Sequence, residues 1–280
     1  MRIAVFADVH GNIRALQAVL ADIETRGVDF CYCAGDLVGY GAHPGEVIKL
    51  LGQKSIPVVM GNYDDGVGFN RLVCGCNYPN EQAQLWGEES IRWTKNNLDA
   101  REKEYLRQLP KEIRLEAGPC RILIVHGSPR MLNEYLFEDF PEEELQKILG
   151  NCEADGCGVD LLVCAHTHKA YHRQLGRGGH VINVGSVGKP KHGNPNALYA
   201  IVEVNCPLPP KPSLQDGRVG AAVGDTVKNL SEGAGAPKRD KFSVRSEFIE
   251  VPYEHNAEAE DIVRSGLPGH FAEVVRTGRG

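Results

Sequence analysis

The sequence predicts an α/β fold, a four-layer αββα sandwich of two mixed β-sheets flanked by helices. Three observations predict it. Short apolar runs rich in Val and Ile alternate with helix-period segments over the first two thirds of the chain, which makes strand–helix–strand units. The later runs follow one another with no long helix between them, so their pairing is antiparallel or mixed and the strands divide between two packed sheets. Five of the runs also end in side chains that can bind metal, as expected where strands of an open α/β sheet finish.

Taken in order, residues 3–7 read as a buried strand that runs into Asp8-Val9-His10. Asn12 then caps a helix to about residue 26, with Ile13, Leu16, Val19, Leu20 and Ile23 on one face. Residues 30–34 form the next strand and lead into Gly35-Asp36, and His43-Pro44-Gly45 breaks the chain before a helix over about 46–53. Residues 58–60 are a third strand-like run, ending in Gly61-Asn62. A longer helix over 81–97 carries Leu85, Ile91 and Trp93, and a short one over 100–108 is stopped by Pro110.

The run 122–125 ends in His126-Gly127. Pro141 followed by Glu142, Glu143 and Glu144 opens a helix to about 149, proline and acids being favoured in a first turn. Residues 161–165 run into His166-Thr167-His168, and 180–184 and 198–204 read as further strands. Residues 205–241 change character, with Pro207, Pro209, Pro210 and Pro212 followed by a Gly, Ala, Ser and Lys tract, and are expected to form a mobile insertion. Residues 243–252 alternate as an edge strand, and 257–277 hold one or two helices interrupted at Gly266-Leu267-Pro268-Gly269. The reading is one domain over 1–280.

The 280 residues, 42% hydrophobic, suffice for a sizeable core. A net charge of −6 argues against a protein whose main work is gripping a nucleic-acid backbone and points to small substrates. No stretch approaches the roughly 18 apolar residues of a membrane span, and the chain starts directly on a strand-like run, so cytoplasmic residence is the expectation. Nine scattered cysteines fit reduced thiols better than a disulfide framework. Cys74-Gly75-Cys76 is closer spaced than a zinc knuckle or thioredoxin-like pair and has no matching second pair, so it reads as a turn near the site.

An Asp or Asn after a strand is by itself a turn residue, and a lone histidine an ordinary polar group. Asp8-x-His10, Gly35-Asp36, Gly61-Asn62, His126 and His166-x-His168, in that order and each after a strand, are far more specific together. Carboxylate, amide oxygen and imidazole suit first-row ions such as Mn, Fe, Ni or Zn. Seven ligands exceed the needs of one tetrahedral ion and are better explained by two divalent or trivalent ions about 3.5–4 Å apart.

The same blocks, with Gly11-Asn12, Gly127 and Asn183-Val184-Gly185-Ser186-Val187-Gly188, resemble the calcineurin-like metallophosphoesterase superfamily over roughly residues 1–204, and its compact bacterial and archaeal branch of small phosphodiesterases. The resemblance implies that Asp8, His10 and His168 hold one ion, that Asn62, His126 and His166 hold the other, and that Asp36 bridges both. It implies hydrolysis of a phosphoester by a hydroxide activated between the metals, with His10, Asp36, Asn62 and Tyr63 in the catalytic set. Many superfamily members have a histidine after the asparagine of the third block, where it aids the leaving group. This chain has Tyr63, a phenol with an ordinary pKa of about 10 and a poorer proton donor near neutral pH, which tilts the reading toward phosphodiesters.

Among residues near the strand ends, Arg14, Tyr40, His43, Arg130, Lys189, Lys191 and His192 could meet substrate, and Asn12, Arg14, Lys189 and His192 are the chosen substrate contacts. His172, His180, His255 and His270 read as surface or loop residues. A phosphomonoesterase, a nuclease using the cationic insertion, and a metal-binding scaffold without turnover are the other functions such a site could serve. The expected partner is a small-molecule phosphoester, with no membrane; the oligomeric state is left open.

Overall fold

The computed structural model describes residues 1–150, 158–206 and 242–279. Among them the strands are β1 (Arg2–Phe6), β2 (Phe30–Cys33), β3 (Glu112–Ala117), β4 (Cys120–Val125), β5 (Leu161–Cys164), β6 (Tyr171–Gln174), β7 (His180–Asn183), β8 (Ala197–Asn205) and β9 (Ser243–Val251). The helices are α1 (Ile13–Glu24), α2 (Pro44–Lys54), α3 (Asn62–Gly68), α4 (Glu81–Asn96), α5 (Ala100–Gln108), α6 (Glu142–Gly150), α7 (His255–Arg264) and α8 (Gly269–Thr277).

The strands form two mixed sheets in the orders β2-β1-β8-β9 and β3-β4-β5-β7-β6. β1 runs parallel to β2 and antiparallel to β8, and β4, β5 and β7 run parallel with antiparallel strands at both edges. Two-residue periodicity sorts each central strand between two cores. Ile3 and Val5 of β1 join Ile122, Ile124, Leu161 and Val163 between the sheets, whereas Ala4 and Phe6 face Leu16, Val19 and Phe271 under the helices. Leu123 and Val125 pack with Leu145 and Ile148 of α6 on the far side. Both faces of each central strand are therefore dry, which is why these strands read as unbroken apolar runs.

Four segments depart from the sequence expectations. Residues 58–60 form no strand: Val58 makes one isolated bridge to Cys33, with Cys33 N–H on the Pro57 carbonyl and Val59 N–H on the Cys33 carbonyl. Proline at 57 has no N–H to continue a ladder. Helix α3 was not expected from a sequence with two glycines and two aspartates. It forms because Asp64 at its third position accepts from the Gly61 N–H at 2.9 Å, closing the first turn. β3 and β6 are edge strands absent from the sequence expectations: β3 alternates, with Ile113 and Leu115 on the inter-sheet core, while β6 is too polar to be found from pattern alone.

Asn12 does cap α1, its Oδ1 accepting from Ala15 N–H at 3.0 Å. The C-terminal segment divides into α7 and α8 at residues 266–268, and both pack over the first sheet through Ile262 and Phe271. The expected insertion at 205–241 falls almost wholly outside the described residues. Among those described, no helix is long and apolar enough to cross a membrane.

Candidate metal centre

The parallel strands of both sheets deliver their carboxyl ends to one place. Asp8 and His10 follow β1, Asp36 follows β2, His126 follows β4, and His166 and His168 follow β5. Hydrogen bonds lock these ends together, with Asp8 N–H on the Gly35 carbonyl, Ala165 N–H on the His126 carbonyl and Gly188 N–H on the Asp8 carbonyl. His126 Nδ1 meets the Ala34 carbonyl at 2.8 Å, a bond from the second sheet to the first.

All seven side chains are buried. His10 Nε2 lies 3.3 Å from His168 Nε2, and these two nitrogens lie 3.7 and 3.5 Å from Asp8 Oδ1. His126 Nε2 is 3.0 Å from Asn62 Oδ1 and 3.4 Å from Asp36 Oδ2, while His10 Nε2 is 3.8 Å from that same Asp36 oxygen. Asp36 therefore stands between the two histidine groups.

The far nitrogens explain what the near ones can do. Nδ1 of His10, His126 and His168 faces the carbonyl of Val38, Ala34 and Lys189 at 3.1, 2.8 and 2.6 Å, so each carries a proton there and aims Nε2 inward, as a lone pair in neutral His10 and His168. Asn62 is oriented likewise: its Nδ2 donates to the Cys74 carbonyl and the Cys76 sulfur, leaving Oδ1 to the centre. Two inward lone pairs 3.3 Å apart have no proton to share. Asp8 Oδ1 and His166 Nε2 are buried with no hydrogen-bond partner at all. Buried acceptors facing one another need a cation, and the donor set fits first-row ions. The coordinating atoms of Asp8, His10 and His168 lie within 4.8 Å of one another, as do those of Asp36, His126 and His166.

The backbone is bent to achieve this. Asp8, His10, Asp36, His166 and His168 all have φ between 50° and 66°, the left-handed region that non-glycine residues avoid at about 1 kcal/mol or more each. Gly61 lets the chain pass the shared aspartate, since a Cβ there would lie 2.1 Å from Asp36 Oδ1. Asp64 accepts the N–H groups of Asp36, Leu37 and Gly61, each at 2.9 Å, and so holds the β2 loop against α3. It positions Asp36 from a residue outside the expected ligand set.

Protonation follows from burial and mutual charge. Burial, reinforced by Asp36, raises the Asp8 carboxyl to about 8. Burial also pushes Asp36 up, but the charge and hydrogen bond of His126, with the charges of His10 and His166, outweigh it and hold Asp36 at about 2. His126 is lowered by burial yet raised further by Asp36 and Asp8, to about 10. Burial lowers His10 to about 4 and His166 to about 3, so both are neutral ligands near pH 7.

Above the centre lies a cavity of about 260 Å³, reached by His10, Asp36, His166 and His168 from below. Tyr63 lines it, its ring 4.6 Å from that of Tyr40 and its N–H donated to Asp36 Oδ1. Tyr40, Lys189 and Lys191 line it as well. The other chosen substrate contacts are engaged elsewhere. Arg14 pairs with Glu258 and Asp261, His192 lies 3.8 Å from Glu250, and Asn12 is taken up by the helix cap, Tyr253 and the Gly188 carbonyl. His43 pairs with Glu46 and Asp261, and Arg130 with Glu134. These cations satisfy acids near the loops instead of facing the cavity. His270 is the reverse case: it belongs to the cavity wall, with Trp86, Tyr78 and Tyr135, although its sequence context shows only a polar residue after a Pro-Gly break. Cys74 and Cys76 adjoin the centre with sulfurs 2.8 Å apart.

The sequence profile described as the calcineurin-like phosphoesterase superfamily domain matches residues 1–206. The chain belongs to this superfamily. A similar protein is MJ0912 of Methanocaldococcus jannaschii, 32% identical over 217 residues, covering 72% of this chain and 82% of the relative. Among solved structures, PH1004 of Pyrococcus horikoshii is similar with a TM-score of 0.71 at 22% identity, over 99% of this chain and 98% of that one. A metallophosphoesterase of Sphaerobacter thermophilus is similar with a TM-score of 0.63 at 24% identity, over 99% of both chains. The four-layer fold and the hydrolysis of phosphoester bonds as its chemistry are those of the superfamily.

Asp8 and His126 both carry a proton near pH 7 when no cation is present, and a metal must displace it. Titrating Mn²⁺ into the metal-free protein at about pH 7 should release roughly one to two protons, read from calorimetric heats in buffers of different ionisation enthalpy, and affinity should rise with pH. Heats independent of the buffer would contradict this protonation scheme.

Proposed function

We propose that this protein is a metal-dependent phosphodiesterase working with two first-row ions, one held by Asp8, His10 and His168, the other by Asn62, His126 and His166, with Asp36 shared. The observation that carries the reading is the pair of partnerless buried acceptors, Asp8 Oδ1 and His166 Nε2, one in each ligand group. Bound ions would polarise phosphoryl oxygens and lower the pKa of a water between them. The protein's own part is preorganisation. Carbonyl groups fix three imidazoles, Asp64 fixes the Asp36 loop, and Lys189 and Lys191, whose amine pKa values burial lowers, would be drawn to their charged forms by phosphoryl oxygens that gain negative charge. Mn, Fe, Ni and Zn all suit this donor set.

Preference for diesters rests on Tyr63. Its side chain is buried, and burial raises its phenol well above the ordinary value. Such a phenol remains un-ionised and a weak acid, so it offers little protonation of a leaving oxygen. Substrates whose leaving group departs without a proton are therefore favoured.

Two outcomes test these statements. His10→Ala should lower Mn²⁺-dependent hydrolysis of bis(p-nitrophenyl) phosphate by more than about a hundredfold, since ligand loss exceeds the 10–100-fold typical of supporting residues; unchanged turnover removes the assignment. Tyr63→His should raise monoesterase relative to diesterase kcat/KM about tenfold or more, general acid help being worth about 10²-fold upward. An unchanged ratio means that position 63 does not set the preference.

A further inference from the structure

We infer that the cleft over the metal centre takes a nucleotide, a phosphoester whose organic group is a planar base seated against Trp86, His270 and Tyr78, with Lys189 and Lys191 on its phosphate oxygens. The inference rests on the phosphoesterase reading and names its substrate class.

Three observations carry it. Trp86 of α4 and His270 of α8 come from opposite ends of the chain, yet their rings lie parallel with centroids 4.2 Å apart and an interplanar angle of 15°. Both line the cleft together with Tyr78. Trp86 is only partly buried and His270 is exposed, so aromatic surface meets solvent in a cleft that also holds charged groups. Flat rings beside a phosphate site are what a base stacks on, and every base has a π-face to offer.

Lys189 and Lys191 have no carboxylate within 4 Å among the described residues, although the chain has a net charge of −6 and Arg14, His43 and Arg130 near the site are paired. Lys189 Nζ rests 3.8 Å from the centre of the Tyr40 ring. Two amines without carboxylate partners in the same cleft suit the phosphate end of the same ligand. An alkyl phosphodiester would use the lysines and leave the rings bare. The cavity of about 260 Å³ has room for about one nucleotide and not for a strand of nucleic acid.

The third observation is where the wall comes from. His270 lies beyond the residues 1–206 that carry the superfamily match, in a helix held on the first sheet by Phe271 and Ile262. The wall thus joins two rings from within the matched residues, Tyr78 and Trp86, to one from beyond them, so that the C-terminal helix adds a side chain to the cleft over a common reaction site.

Calorimetry on the Mn²⁺-loaded protein, with adenosine 5′-monophosphate and ribose 5-phosphate as probes, tests the inference, because the two differ only by the base. The nucleotide should bind at least about tenfold more tightly, in line with one stacked base. Trp86→Ala should bring the affinity ratio close to one, and Trp86→Phe, which keeps a ring and guards against misfolding, should restore most of it. Equal affinities in the unaltered protein with Mn²⁺ dependence intact overturn the nucleotide inference alone, as does a ratio untouched by Trp86→Ala and His270→Ala. Binding of both probes without any Mn²⁺ dependence overturns the metallophosphoesterase reading, and this inference with it.

Discussion

The structure depends on bringing buried acceptors face to face. Asp8, Asp36, Asn62 and four imidazoles converge in a dry space where the inward atoms are lone pairs and carboxylate oxygens. In an apolar interior such groups repel and lack hydrogen-bond donors, so the arrangement persists only where positive charge balances it. Without a cation that charge is supplied by protons, on His126 and Asp8. In the proposed metal-bound form it would be supplied by the ions, with the same residues as ligands.

The topology serves this constraint. Two sheets packed face to face place the carboxyl ends of β1, β2, β4 and β5 at a common edge, which no single sheet could do at this ligand density. Left-handed residues then turn each side chain inward immediately after its strand. Their cost is met by the packed strands that precede them, whose last residues are buried in the two cores.

Much of this was legible in the sequence because strand, turn and ligand are adjacent in the chain. The runs before Asp8, Asp36, His126 and His166 announce themselves by apolar character, and the helices by caps and periodicity. What the sequence concealed depends on long-range contacts. Val58 reads as a strand until Pro57 is seen to stop the ladder at one bridge. Asp64 reads as a cap until its carboxylate is found holding Asp36 and Leu37. Arg14 and His43 look like substrate contacts until α7 brings Glu258 and Asp261 to them. Conversely, nothing local to His270 foretells Trp86, 184 positions earlier in the chain, as its stacking partner.

The last helix gives the cleft part of its aromatic rim through His270 and Phe271, and the account as a whole turns on whether cations occupy the space below it. Anomalous diffraction at the manganese edge, from crystals of the protein grown with Mn²⁺, addresses that most directly. The account predicts two peaks flanking the Asp36 carboxylate, one beside Asp8, His10 and His168 and the other beside Asn62, His126 and His166. No peak at these residues, or a single peak remote from Asp36, would contradict it.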